Sequence, residues 1–315
     1  MAPRHFLILL AVVSSLTDAS VGSGVSGTYT GLPYTGFDSN DPNIYRSNDP
    51  NIYRSNDPNY IYRSNDPNIA VGRVIFTPSA LYCSTTGNYS KNTPYQVNLF
   101  NLLNNLSSGA ITNRGFTNSV AGEVPDVVFG LTMCYADRNW TECRNCLHEA
   151  ASGVTLICPF SREMKACDDA CVIRYSNESF FSVADLTVAF DNSSNSFVTD
   201  IASMNTTRSS LMSRLVGQAA VSELRLANGS NPYTDLHGRS QVMYGLAQCT
   251  RDLNASECTR CLEYFVERLS DLYPTNTYGA VKGYSCYVVY KIGDELVITI
   301  PPATAASGWD LELSN

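Results

Sequence analysis

Two short stretches concentrate the residues able to do chemistry. CYADRNWTECRNC runs from Cys134 to Cys146, and CTRDLNASECTRC from Cys249 to Cys261; both read C-x8-C-x2-C. A C-x2-C pair can hold zinc, cycle between thiol and disulfide, or close structural bridges. Zinc needs four ligands per site, and beyond the N-terminal segment the only histidines are His148 and His237. Redox C-x-x-C pairs sit in a thioredoxin-like βαβ context, and no such pattern surrounds either motif. A structural disulfide framework is the reading that remains best supplied with cysteines, eleven in all: Cys83, Cys134, Cys143, Cys146, Cys158, Cys167, Cys171, Cys249, Cys258, Cys261 and Cys286.

Catalysis finds little else to work with. A nucleophile needs a positioned base, for which His148 and His237 are the candidates, each better read as an ordinary surface residue. No P-loop, zincin motif or G-x-S-x-G occurs. The sequence therefore predicts a non-enzymatic chain with no cofactor and no metal. Net charge is −8. No basic stripe marks a nucleic-acid binder, and an acidic surface serves solubility.

The elements that position the cysteines occur twice. An offset of 115 residues carries Cys134 onto Cys249, Gly130 onto Gly245, Asp137 onto Asp252, Glu142 onto Glu257, Pro159 onto Pro274, Cys171 onto Cys286 and Tyr175 onto Tyr290. This is a duplicated unit of roughly 110 residues. Thr141 and Ser256 are placed to cap helices that carry the C-x2-C pairs on one face. Leu262, Phe265, Val266 and Leu269 continue the second of these at helical spacing. An earlier helix is marked by Leu99, Leu102, Leu103 and Leu106, and by Leu211, Leu215 and Ala219 in the second copy. ACVIRYS and SCYVVYKIGDELVITI are β-branched and aromatic, and the Gly-Asp of the latter predicts a hairpin there. The expected fold is α+β: two tandem small disulfide-stapled domains, each with helices packed on an antiparallel sheet.

The flanks set the compartment. Residues 1–20 have the basic start, apolar run and small residues of a secretory signal peptide. No later stretch has the roughly 20 apolar residues of a spanning helix. Residues 21–71 read as a flexible linker containing an octapeptide repeat, SNDPNIYR, over 39–69. Its N-D-P-N units favour turns, and its Ile-Tyr pairs are too sparse to bury a core. Domain A is placed at 72–182, domain B at 187–300 and a tail at 301–315. Eight N-x-S/T sequons (Asn88, Asn105, Asn139, Asn177, Asn192, Asn205, Asn228 and Asn254) suit a secreted glycoprotein.

The C-x8-C-x2-C motif, with cysteines 12 and 25 residues beyond its last in the first copy, resembles the plant ginkbilobin-homologous domain. This is also called the salt-stress-response/antifungal domain, and it is found in cysteine-rich receptor-like kinases and cysteine-rich repeat secretory proteins. The resemblance covers roughly residues 72–300. It implies the pairs Cys83–Cys158, Cys134–Cys143 and Cys146–Cys171, then Cys249–Cys258 and Cys261–Cys286. Cys167 is left unpaired, either buried or available for an intermolecular bridge. Val198 and Tyr273 stand where the second copy would carry the counterparts of Cys83 and Cys158, so domain B is expected to be the weaker.

Mannose-binding members of the family imply a site at Ser84, Lys165 and Ser176, matched by Thr199, Ala280 and Lys291 in the second copy. Neither set retains the family's residues, and the acidic acceptor is missing from both. The resemblance implies a binding module of the plant apoplast, active in stress or defence, that recognises an apoplastic or cell-surface protein. A mannose-type lectin is the alternative, and a thiol-disulfide oxidoreductase a more distant one.

Overall fold

The computed structural model describes residues 76–300, except residue 236, and three short strands within the repeat. The expected signal peptide, the tail and most of the linker lie outside the described residues. The described residues all fall within one compact unit.

In the repeat, β1 (Ile44–Arg46), β2 (Ile52–Ser55) and β3 (Arg63–Ser64) pair antiparallel in the order β1-β2-β3. The sequence reading gave this region turns and no strand. Ile and Tyr favour extended backbone, and three near-identical segments separated by turn-forming N-D-P-N can ladder together without a core.

The first copy contributes β4 (Ala80–Cys83), α1 (Pro94–Thr112), β5 (Phe116–Ala121), β6 (Val128–Cys134), α2 (Trp140–Ile157), β7 (Glu163–Cys167) and β8 (Cys171–Ser176). The second repeats the sequence of elements with β9 (Val188–Ser193), α3 (Ile201–Val221), β10 (Leu226–Thr234), β11 (Ser240–Cys249), α4 (Ala255–Leu272), β12 (Tyr278–Gly283) and β13 (Cys286–Ile292). The two five-stranded antiparallel sheets have matching orders, β4-β7-β8-β6-β5 and β9-β12-β13-β11-β10.

Each helix forms for a local reason. Pro94 opens α1 at the position where a missing N–H costs nothing. Asn139 caps α2, accepting from the Glu142 backbone N–H while the Glu142 carboxylate accepts from the Asn139 N–H. Asn254 caps α4 through the Glu257 N–H at 2.9 Å. The caps are thus Asn139 and Asn254, two residues before the expected Thr141 and Ser256, which lie inside the first turns. Asn outranks Thr as a cap, and N-x-x-E completes the reciprocal bond in the first copy.

Packing follows from the apolar spacing. Leu99, Leu102, Leu103 and Leu106 are buried on α1, and Leu211, Leu215 and Ala219 on α3. The close crossing of helix and sheet explains the matched Gly130 and Gly245. A Cβ on Gly130 would lie 2.7 Å from Leu102, and one on Gly245 would lie 2.9 Å from Leu215. The helices cover one face of each sheet, giving two separate cores. The other faces meet each other. Leu131, Met133, Tyr135, Cys167 and Val172 pack there against Leu246, Ala280, Tyr284, Tyr287 and Val289.

Five disulfides staple the helices to the sheets. Cys134 and Cys171 are direct neighbours across β6 and β8, and they bridge to Cys143 and Cys146 on one face of α2. Cys249 and Cys286, neighbours across β11 and β13, do the same with Cys258 and Cys261 of α4. Cys83 joins Cys158 in the first copy alone. Around the two positions lacking cysteine, the Val198 N–H donates to Thr275 O at 2.8 Å and the Tyr273 hydroxyl bonds to Asp191.

The hairpin expected after Cys286 does not form. β13 pairs with β11 and with the preceding β12, so both of its edges are occupied. After Gly293, which has φ +102, the chain runs on without strand pairing. Leu296 and Ile298 pack into the seam between the sheets, and the Thr299 N–H donates to Ala136 O of the first copy.

Candidate functional site

Ser84, Lys165 and Ser176 converge at one end of the first sheet. Lys165 faces Tyr82 across β4 and β7, with its ammonium 5.3 Å from the Tyr82 ring centre. The Ser84 N–H donates to Glu163 O at 2.9 Å, and Ser84 Oγ donates to Thr86 O at 3.0 Å. Ser176 is buried and its Oγ accepts from the Glu178 N–H.

An acidic group lies beside these residues, at a position other than the expected one. Glu163 stands directly opposite Ser176 in the β7–β8 register, and its carboxylate lies 3.6 Å from the Lys165 ammonium. Sequence alone offered the hint that Glu163 and Lys165, two apart on a strand, share a face. It could not offer the register that puts Glu163 against Ser176.

A second carboxylate comes from the segment joining the copies. Asp185 Oδ2 lies 2.9 Å from Lys165 Nζ and 3.6 Å from Arg174 Nη2. Burial pushes the Asp185 carboxyl up, yet the Thr187 N–H, Lys165 and Arg174 bring it below its ordinary value. Burial holds the Arg174 guanidinium below its ordinary value despite Asp185. Arg174 also lies over the Phe180 ring and donates to Ser285 Oγ of the second copy at 3.0 Å. The basic end of this surface is therefore already neutralised from within the chain. In the second copy, Thr199 is exposed, Ala280 is buried in the seam and Lys291 pairs with Asp294 at 3.2 Å.

The seam carries most of the chemistry that sequence reasoning missed. Cys167 and Lys282, equivalent under the 115-residue offset, meet there. The Tyr135 hydroxyl lies 3.1 Å from Cys167 Sγ and 3.1 Å from Gly283 O. Lys282, 2 % exposed, lies over the rings of Tyr135 and Tyr287 and bonds to Asp169. The Tyr287 hydroxyl donates to Asp137 at 2.7 Å. Gln248 clamps the first copy's backbone, accepting from the Ala136 N–H and donating to Cys134 O, each at 3.0 Å. Burial pushes the Cys167 thiol up to about 11, with Tyr135 and Lys282 pulling the other way. An interchain bridge through Cys167 would first require the two sheets to part.

His148 lies on α2 within 3.5 Å of Ser107, whereas His237 sits in an exposed turn of the second copy. The two do not share a site. Among the described residues no cluster of His, Cys, Asp or Glu is arranged to hold a metal, and no helix is long and apolar enough to cross a membrane. Asn88, Asn105, Asn139, Asn192, Asn205, Asn228 and Asn254 are exposed and Asn177 is half-buried.

Residues 82–178 and 189–292 each match the salt stress response/antifungal family. The chain is 31% identical over 211 residues to an antimicrobial ginkbilobin-2-like protein of Castanea crenata, covering 67% of this chain and 86% of that one. It is 32% identical over 231 residues to cysteine-rich receptor-like protein kinase 6 of Arabidopsis thaliana, 70% of this chain but only 33% of the kinase. The match to the kinase thus spans about a third of its length. The tandem DUF26 ectodomain from the Arabidopsis thaliana cysteine-rich receptor-like protein PDLP8 superposes with a TM-score of 0.56 at 25% identity, covering 70% of this chain and 99% of that one.

Proposed function

Because the chain belongs to the salt stress response/antifungal family, as a tandem pair of its domains, we propose that it is a secreted, non-enzymatic binding module of the plant apoplast that recognises a cell-surface or apoplastic protein. The observation that carries this reading is the seam. Polar groups of both copies are spent on one another across it: Lys282 on Asp169, Tyr287 on Asp137, Gln248 on the backbone at 134 and 136, and Arg174 on Ser285. Such cross-links fix the copies in one orientation, so a partner meets a preorganised composite surface.

A mannose-type site is the second reading, favoured by Glu163 opposite Ser176. Asp185 works against it, since a sugar must displace an existing ion pair to reach Lys165.

A glycan array and a capture from plant membrane extract, both with the secreted full chain, separate the two. The expected result is a captured surface protein and no saturable mannose binding. Saturable mannose binding abolished by Lys165→Ala would replace the first reading with the second. Turnover of a cell-wall substrate would overturn both.

A further inference from the structure

At the opposite end of the seam from Lys165 lies a crevice lined by Arg114, Phe116, Trp140, Leu226, Arg251 and Ile300. It is partly open to solvent and offers about 20 Å³, room for one small polar group. Phe116 is buried, Leu226 and Trp140 are half-buried, and Ile300 is exposed at the rim.

Two guanidinium groups share this crevice. Arg251 lies 5.0 Å from the Phe116 ring centre, and its Nη2 donates to Asn113 O and Arg114 O, the carbonyls at the end of α1. A cation capping a helix C-terminus accounts for that contact. It uses two of five N–H donors. The other three, and all five of Arg114, have no acceptor among the described residues, and no described carboxylate pairs with either arginine. Burial, and after it the neighbouring Arg114, lowers the Arg251 guanidinium to about 10. Two like charges are held close in a chain whose net charge is −8.

The other end of the seam shows how this fold neutralises such a pair. There Lys165 and Arg174 converge on one carboxylate, Asp185, donated by the segment that follows β8. The segment that follows β13 crosses the seam in the same manner through Leu296 and Ile298. At the position equivalent to Asp185 it carries Ile300, which lines the crevice without charge.

We propose that the crevice between Arg114 and Arg251 is a docking site for a carboxylate side chain in an apolar-flanked acidic segment of a partner protein. The guanidinium forks offer unspent donors to a carboxylate, and a bidentate charge-assisted pair is among the stronger contacts a site can make. Trp140, Leu226 and Ile300, half-buried or at the rim, receive the flanking apolar side chains. That apolar lining selects a peptide over an acidic polysaccharide, whose body is polar. The proposal deepens the protein-partner reading and rests on it for the source of the carboxylate.

The test uses the full secreted chain carrying Trp309→Phe, which leaves Trp140 as its only tryptophan. Trp140 emission is titrated with acetyl-Leu-Glu-Leu-amide, with the Gln counterpart of that peptide and with tri-galacturonate. Saturable binding of the Glu peptide is expected, at least tenfold tighter than the Gln peptide or the sugar, and weakened by salt. Arg114→Gln removes no bond within the described chain, so it should leave the melting temperature unchanged and weaken the Glu peptide at least tenfold. Arg251→Gln should weaken it too, with some loss of stability. Equal binding of the Glu and Gln peptides, tighter binding of tri-galacturonate, no saturable binding, or full binding by Arg114→Gln would each overturn the proposal. Peptide binding that survives while membrane capture yields no partner would keep the crevice and remove the protein-partner reading.

Discussion

Lys282 Nζ sits 4.5 Å from the centre of the Tyr135 ring, a buried cation of the second copy held against an aromatic of the first. Its other partner, Asp169, is 57% exposed, so removing the lysine strands no buried charge. The cost should then be that of lost packing and of the two hydrogen bonds to the Asp169 backbone carbonyl and carboxylate. Lys282→Ala is expected to lower stability by ~2–3 kcal/mol, and Lys282→Met, which refills the volume, by less than ~1.5 kcal/mol. Urea denaturation measures both. A Met variant weaker than the Ala variant would show that the charge, and not the packing, holds the seam.

Cys167 should behave as a protected thiol. It is fully buried beside Tyr135, and its pKa of about 11 keeps it protonated at neutral pH. Iodoacetamide at pH 8 is expected to label Cys167 only under conditions that part the sheets, and non-reducing electrophoresis should show no Cys167-linked dimer. Equal labelling rates in native and denatured protein would contradict this placement.

The Asp185 carboxyl has a folded value below its unfolded one. Its contribution is therefore present above the unfolded pKa of about 4 and is lost as pH falls through the lower folded value. Asp185→Asn should be less stable than the parent at pH 6, and the two should converge as pH falls towards 2. Melting temperatures across that range test it; a constant difference would assign the effect to packing.

Gly245→Ala places a methyl group 2.9 Å from Leu215 and 3.1 Å from Leu211. Leucine termini can shift, so the expected cost is ~1–2 kcal/mol. Pairing it with Leu215→Val should recover part of that loss, and a double variant with simply additive costs would count against direct crowding.

Cys83 and Cys158 are separated by 75 residues. Replacing both with Ala should cost the first copy up to ~4.5 kcal/mol in the chain-entropy model. Calorimetry that shows no change would mean that the bridge adds nothing beyond the hydrogen bonds around it.

The sequence by itself determined the repeated unit, because cysteine spacing, leucine periodicity and matched glycines are local signals that survive without a partner strand. Buried Leu99, Leu102, Leu103 and Leu106 on α1 were legible for that reason, as was the strand beginning at Cys171. The caps were legible in principle, since Asn139 and Asn254 each stand three residues before a glutamate, although both also begin sequons. The hairpin after Cys286 failed because a Gly-Asp turn is only a local preference, whereas pairing of β13 on both edges is decided by the whole sheet. Only tertiary structure put Glu163 opposite Ser176, since strand register is not written in either strand alone. It also decided that Cys167 and Lys282, 115 residues apart, would share one buried seam with Tyr135. That arrangement depends on two sheet faces burying their apolar side chains against each other, a long-range contact for which neither copy alone carries the information.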